Sequence, residues 1–233
     1  MNATTYSIQG RTVAVPSIVR DASSGVAIFT VPLVAAQRLI GGDAFEAVEM
    51  APGQTQLVLG FVDYRDNDLG DYNEVMIVFM VRPRGTTLAA GTYIYKLPVD
   101  QSFTYEAGSK IWGFPKSLEA IDVHYENHRV TCRLGMDGEH VFTLTVPRAA
   151  IDDAPQPDLE MVTYTYLDGR PQAVPFTSGG KGTAMSMGSD GVELTLGTHP
   201  IAEELRSLGL PMPAFMSTWT EHMSGSFGAP RPL

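Results

Sequence analysis

The chain has 233 residues, of which 44% are hydrophobic and 18% charged, with no long polar tract, so it can bury a sizeable core and is not intrinsically disordered. Sixteen Lys and Arg against 26 Asp and Glu leave a formal charge of -10, which disfavours nucleic acid and anionic membranes as partners. An anionic substrate would therefore need a local cation, because the field of the whole protein opposes it.

The N-terminus has neither a basic n-region nor an apolar h-region, and nowhere do about 18 apolar residues run together. These features predict a cytoplasmic protein, in which the Asn2-Ala3-Thr4 sequon is idle. Short runs rich in Val, Ile, Thr, Tyr and Phe predict strands at 25–31, 56–64, 72–81, 92–96, 129–134, 141–146, 161–167 and 192–196. Asp137-Gly138 and Asp168-Gly169 carry the residues of two-residue hairpins. Two short helices are predicted, over 32–40 with proline in the first turn and over 199–208 closed by Gly209. The lone cysteine, Cys132, has no partner for an internal disulfide and is predicted to pack on one face of a strand. Residues 152–158 resemble a linker, yet more hairpin follows with no change of composition, which predicts one domain over 1–233. The pattern as a whole is mainly β, an antiparallel system with a few peripheral helices.

Few residues offer chemistry. The run Ser-Gly-Gly-Lys-Gly-Thr at 178–183 lacks the hydroxyl residue that a phosphate loop needs directly after its lysine, and is predicted to be a flexible hairpin tip. His124, His128, His140, His199 and His222 have no ligand spacing, so no metal and no cofactor are expected. No Gly-x-Ser-x-Gly elbow is present, and Cys132 has no suggested base.

Two ionisable residues remain in apolar surroundings. Glu74 enters the strand Gly-Asp-Tyr-Asn-Glu-Val-Met-Ile-Val-Phe-Met-Val, where alternation places Tyr72, Glu74, Met76 and Val78 on one face. Lys116 follows Trp112, Gly113, Phe114 and Pro115. One reading makes them a structural ion pair at the edge of a core. The other makes Lys116 an amine nucleophile, which attacks a carbonyl only when unprotonated; apolar neighbours favour that form by desolvating the ammonium.

Together, Gly70-Asp71-Tyr72-Asn73-Glu74 and the later Gly108-Ser109-Lys110-Ile111-Trp112-Gly113-Phe114-Pro115-Lys116 resemble the acetoacetate decarboxylase-like superfamily. Its signature joins a Gly-x-Tyr-x-Glu strand to a Gly-x-x-Ile/Leu-x-x-x-Pro-Lys segment. The resemblance is best over 55–123, extends back to about residue 18 and is diffuse beyond the linker. It implies an antiparallel β-cone or barrel, a homo-oligomer, and a lyase that needs no cofactor and forms an imine between Lys116 and a small keto acid. Glu74 would then handle protons or the substrate carboxylate, Arg20 would either clamp the substrate carboxylate or be a solvated turn residue paired with Asp21, and Tyr72, Trp112 and Phe114 would exclude water. The C-terminal strand around Trp219 would supply either a pocket wall or core packing.

One position departs from the pattern. Decarboxylases proper carry a second lysine directly after the first, and here Ser117 stands there. Three readings follow: decarboxylation of acetoacetate or a related 3-oxo acid, an aldolase-dehydratase condensing pyruvate with an aldehyde, and a non-catalytic β-barrel that binds a small molecule.

Overall fold

The computed structural model describes residues 4–148 and 152–233; Asn2 and Ala3 of the sequon lie outside the described residues. Strands β1 (Thr4–Ile8) and β2 (Arg11–Val15) form a separate hairpin. There follow β3 (Ser17–Pro32), α1 (Leu33–Ile40), β4 (Phe45–Ala47), β5 (Gln54–Asn67), β6 (Tyr72–Pro83) and β7 (Gly91–Val99). Next come α2 (Ser102–Trp112), β8 (Lys116–Leu118), β9 (Ala120–Tyr125), β10 (Arg129–Met136) and β11 (Glu139–Pro147). The last part holds β12 (Gln156–Leu167), β13 (Arg170–Met187), β14 (Glu193–Leu196), α3 (Pro200–Ser207) and β15 (Met216–Phe227).

Seven strands close into a barrel in the order β6-β5-β3-β15-β13-β12-β7, with β7 pairing back to β6. Its neighbours are antiparallel except β12 and β7, and β8 runs parallel to the far end of β7. Strands on both sides of residues 152–158 thus lie in one sheet. A second sheet, β14-β11-β10-β9, lies against one side of the barrel.

Alternation decides what each face does. The odd positions Phe29, Leu57, Leu59, Phe61, Ile77 and Phe79 share a core with Cys132, Leu134, Phe142 and Leu144 of the second sheet and with Ala36 and Leu205 of α1 and α3. This face is the outside of the barrel, covered by those elements, so the opposite face turns inward. Cys132 is fully buried there, as a small apolar residue would be, and burial pushes its thiol well above the usual range. Trp219, also fully buried, belongs to this outer core, whereas Thr218 and Thr220 face inward with Val26 and Ser24.

At one end the inward residues Val19, Ala22, Val62, Tyr64, Tyr72, Leu97, Val99 and Val174 form a second core with Phe103, Ala107, Ile111 and Trp112 of α2. The helix is therefore a plug. The sequence does not announce it, because Phe103, Thr104, Tyr105 and Gly108 are weak helix formers. Tertiary packing prevails, and Gln101 caps the helix by accepting from the Thr104 N–H at 2.8 Å.

Both Asp-Gly pairs form tight hairpins with positive φ, at 52° and 79° for Asp137 and Gly138 and at 52° and 73° for Asp168 and Gly169. Residues 178–183 are a different matter, since they lie inside β13 and, apart from Gly182, pair with β15. Gly180, at φ 134°, lets the β15 backbone at His222 approach where any side chain would collide. The glycines serve close strand contact rather than a flexible tip.

Gly113 ends α2 in the left-handed region at φ 70°, with the Tyr166 carbonyl where a Cβ would stand. Gly113→Ala combines backbone strain with a steric clash and is expected to cost about 2–4 kcal/mol, read as a lowered denaturant midpoint with unchanged slope.

Candidate active site

The lysine reaches the inner face through a specific route. β8 begins at Lys116, directly beside Leu97 of β7. Its aliphatic stem crosses α2 at Gly108, where an added Cβ would lie 2.5 Å from Lys116 Cε. The glycine of the motif is thus the gap through which the lysine passes.

Inside, Lys116 Nζ lies 2.8 Å from Glu74 Oε2, and the two side chains are only 3% and 8% exposed. Nζ also donates to Thr104 Oγ1 at 2.9 Å and stands 5.0 Å above the Tyr72 ring. Tyr64 donates from its hydroxyl to Glu74 Oε1 at 3.3 Å and stacks on Tyr72 with ring centroids 4.4 Å apart. Burial, and then the charge of Glu74, hold both phenols well above the usual tyrosine range, so they stay protonated and Tyr64 remains a donor. One amine and one carboxylate are therefore enclosed with hydroxyls and aromatic rings.

Trp112 and Phe114 stack on each other at 5.8 Å and pack edge-on against Phe227, and the Trp112 indole donates to the Gly228 carbonyl at 2.8 Å. They seal the plug. Ser117, half-buried, lies on β8 beside Pro98. Lys110 is 64% exposed and paired with Glu106, so it brings no second charge to Lys116. An open depression of about 420 Å³, lined by Asp100, Glu119, Arg133, Asp137 and Glu139 among others, does not include Lys116.

Arg20 does not join this group, contrary to the expectation of a carboxylate clamp. An irregularity in β3 at Asp21 leaves Val19 inward, so Arg20 turns outward. There its guanidinium is held by Asp66 at 2.8 Å and Asp68 at 2.7 Å, with 46% of the side chain exposed. Asp21 pairs instead with Arg65.

Thr104 and Tyr64 escaped the sequence reading. Thr104 stands four residues before Gly108, on the same helical face, and becomes visible once α2 is known. Tyr64 meets Tyr72 only through the β5–β6 register, which is a long-range property.

Two outcomes follow. Removing one partner of the buried pair strands the other, so Lys116→Met and Glu74→Gln are each expected to cost about 3–5 kcal/mol by denaturant unfolding, and the double variant less than their sum. Arg20→Gln is expected to change KM for a keto acid by less than about twofold.

The chain matches the acetoacetate decarboxylase family profile over residues 11–226. No curated protein sequence matches it. Among solved structures, acetoacetate decarboxylase from Legionella pneumophila superposes with a TM-score of 0.66 at 16% identity, covering 94% of this chain and 87% of the other. The enduracididine biosynthesis enzyme MppR, complexed with pyruvate, gives 0.60 at 16% identity over 93% and 90% of the two chains. An acetoacetate decarboxylase-like enzyme from Sphingomonas wittichii RW1 gives 0.54 at 13% identity over 92% and 93%. These likenesses establish a shared fold, and the profile match, which takes in both motif segments, shows that the chain belongs to the acetoacetate decarboxylase family.

Proposed function

We propose that the protein is a Schiff-base-forming lyase acting on a small keto acid, with Lys116 as nucleophile and decarboxylation of acetoacetate or a related 3-oxo acid as its reaction. The observation that carries this reading is the enclosure of one amine against one carboxylate at the base of the barrel. Glu74 takes a proton from the Lys116 ammonium across 2.8 Å, and the free amine adds to the ketone carbon. The carbinolamine loses water and leaves a protonated imine. The carbon–carboxylate bond then breaks, its electron pair moves into the imine to give an enamine, and carbon dioxide departs. Protonation of the enamine carbon and addition of water to the imine release the ketone and restore the lysine. Glu74, with the Tyr64 hydroxyl behind it, is the group in reach for those proton transfers.

The wall around the site bears on the choice of reaction. Among the described residues, no arginine, lysine or histidine stands on the inward face of β6 from Glu74 to Met80 or opposite it on β5 and β3, and Arg82, next on that face of β6, is paired with Glu46 at 2.7 Å. Lys181 and His222 sit opposite each other where β13 and β15 bend, and His222 is turned to Asp21 at 2.9 Å. A carboxylate bound beside Lys116 thus has the iminium as its nearest cation on that wall. Losing both charges as carbon dioxide and a neutral enamine is favoured in such surroundings. An aldolase-dehydratase keeps the pyruvate carboxylate throughout, so the uncharged wall favours decarboxylation.

Ser117 favours the second reading, condensation of pyruvate with an aldehyde, since it stands where decarboxylases proper carry lysine. MppR has been seen with the condensation product of pyruvate and imidazole 4-carboxaldehyde, which provides a chemical precedent on this fold.

Incubation with acetoacetate or pyruvate followed by borohydride is expected to leave a mass adduct on Lys116, absent from Lys116→Ala. Failure to form an adduct with either acid would instead support a non-catalytic binder in which Lys116 is only an ion-pair residue. Carbon dioxide release from acetoacetate, set against a conjugated product from pyruvate and an aldehyde, separates the two enzymatic readings.

A further inference from the structure

The barrel above Lys116 is not filled. Tyr72 and Glu74 are buried at its base, but further along the same inward face of β6 Met76 and Met80 are only half-buried, while Val78 between them is 5% exposed. Val26 and Ile28 of β3 and Val58 of β5 are also half-buried, although register turns all three inward and covers their outward neighbours completely. On β13 the exposure increases toward the rim, where inward-facing Met185 and Met187 reach 65% and 64%. A packed barrel interior would bury these positions. The inner wall is therefore incompletely packed from the rim down to the layer of Met76, one alternation above Glu74.

Its chemistry is uniform. Valine, isoleucine and methionine alternate with threonine, and no charged group lies between Glu74 and Met80 on β6 or opposite them on β5 and β3. Methionine recurs at 76, 80, 161, 185, 187 and 216, six of the chain's 11, all on the inward side. Flexible thioether side chains accommodate apolar ligands of varied shape. At ~3.4 Å per residue, the wall from Glu74 to Met80 runs about 20 Å along the strand, several times the reach of a four-carbon acid.

We infer that the lumen is a channel for an apolar chain, and that the substrate is a keto acid bearing an extended alkyl or similarly apolar group, its ketone at Lys116 and its chain lying along Met76, Val58, Val26 and Ile28 toward the rim. This rests on the Schiff-base reading of Lys116 and extends it to the rest of the substrate. Continuity fixes the occupant, because the apolar wall starts at the reactive amine and would be the path of anything bound to it. Between Glu74 and Met80 a polar or sugar-like substituent would find neither charged partners nor an aromatic platform on this wall, the ion pair of Arg82 with Glu46 lying beyond it.

The test compares unbranched 3-oxo acids from four to ten carbons with the unmodified protein. kcat/KM, and the rate of borohydride trapping on Lys116, are expected to rise roughly threefold to fourfold per added methylene over the first several carbons. Decanoate, which has the chain but no ketone, is expected to inhibit trapping of acetoacetate competitively. Ile28→Asp and Val58→Asp, each placing a carboxylate on the wall, are expected to flatten the dependence on chain length. If acetoacetate is trapped and the longer acids react no faster, or if decanoate has no effect, the lumen is no chain channel and the inference falls while the Schiff-base reading stands. If no keto acid is trapped at all, the reading beneath it falls and takes the inference with it.

Discussion

The structure turns on one buried ion pair. Lys116 and Glu74 meet at 2.8 Å, almost wholly removed from water, in a region otherwise built of Val, Leu, Phe, Trp and Tyr. Taking two charges out of water is costly, and hydrophobic residues of similar volume would serve stability at least as well. The pair persists only because the surrounding hydroxyls satisfy what the two charges leave over: Thr104 accepts from Nζ and Tyr64 donates to the carboxylate. A fold that was selected for stability alone has little reason to retain it. A site that must pass a proton between an amine and a carboxylate, and then expose the amine to a ketone, has every reason.

Several features that look local are consequences of placing that lysine. Gly108 makes room for the stem of Lys116 across α2, and Gly113 lets the chain leave the helix against Tyr166 and turn back toward β8. The parallel pairing of β8 with β7 sets Lys116 beside Leu97, while the β6–β7 register sets Glu74 beside Val99. Plug, turn and register together bring together residues 42 positions apart in sequence. With a second sheet outside the barrel and a helix at one end, the inner wall beyond Glu74 is the apolar surface that adjoins the amine.

The pair of motifs made the buried ion pair legible in the sequence, because Glu74 and Lys116 each break an apolar context. Alternation in residues 72–81 also placed Tyr72, Glu74, Met76 and Val78 on one face, and the Asp-Gly turns announced two hairpins. What stayed hidden depends on distance or on packing that overrides propensity. α2 is spelled with residues that favour strands, Tyr64 reaches the site only by register, and Arg20 owes its orientation to an irregularity in β3 that no local signal marks. The glycine-rich run at 178–183 suggested a mobile tip, when Gly179 and Gly180 let neighbouring strands touch. Openness of the lumen is a property of seven strands at once and has no counterpart in any single segment.

The proposed chemistry requires the Lys116 nitrogen to become covalently bound to the carbonyl carbon of the substrate. Protein labelled with ¹⁵N at the lysine side chains, mixed with a 3-oxo acid carrying ¹³C at the ketone, tests this without trapping or turnover assays. An imine or enamine carbon signal split by one-bond coupling to a single lysine nitrogen is expected in the wild-type protein and absent in Lys116→Arg. A bound keto acid whose carbon keeps the shift of a free ketone, with no coupling to nitrogen, would contradict it.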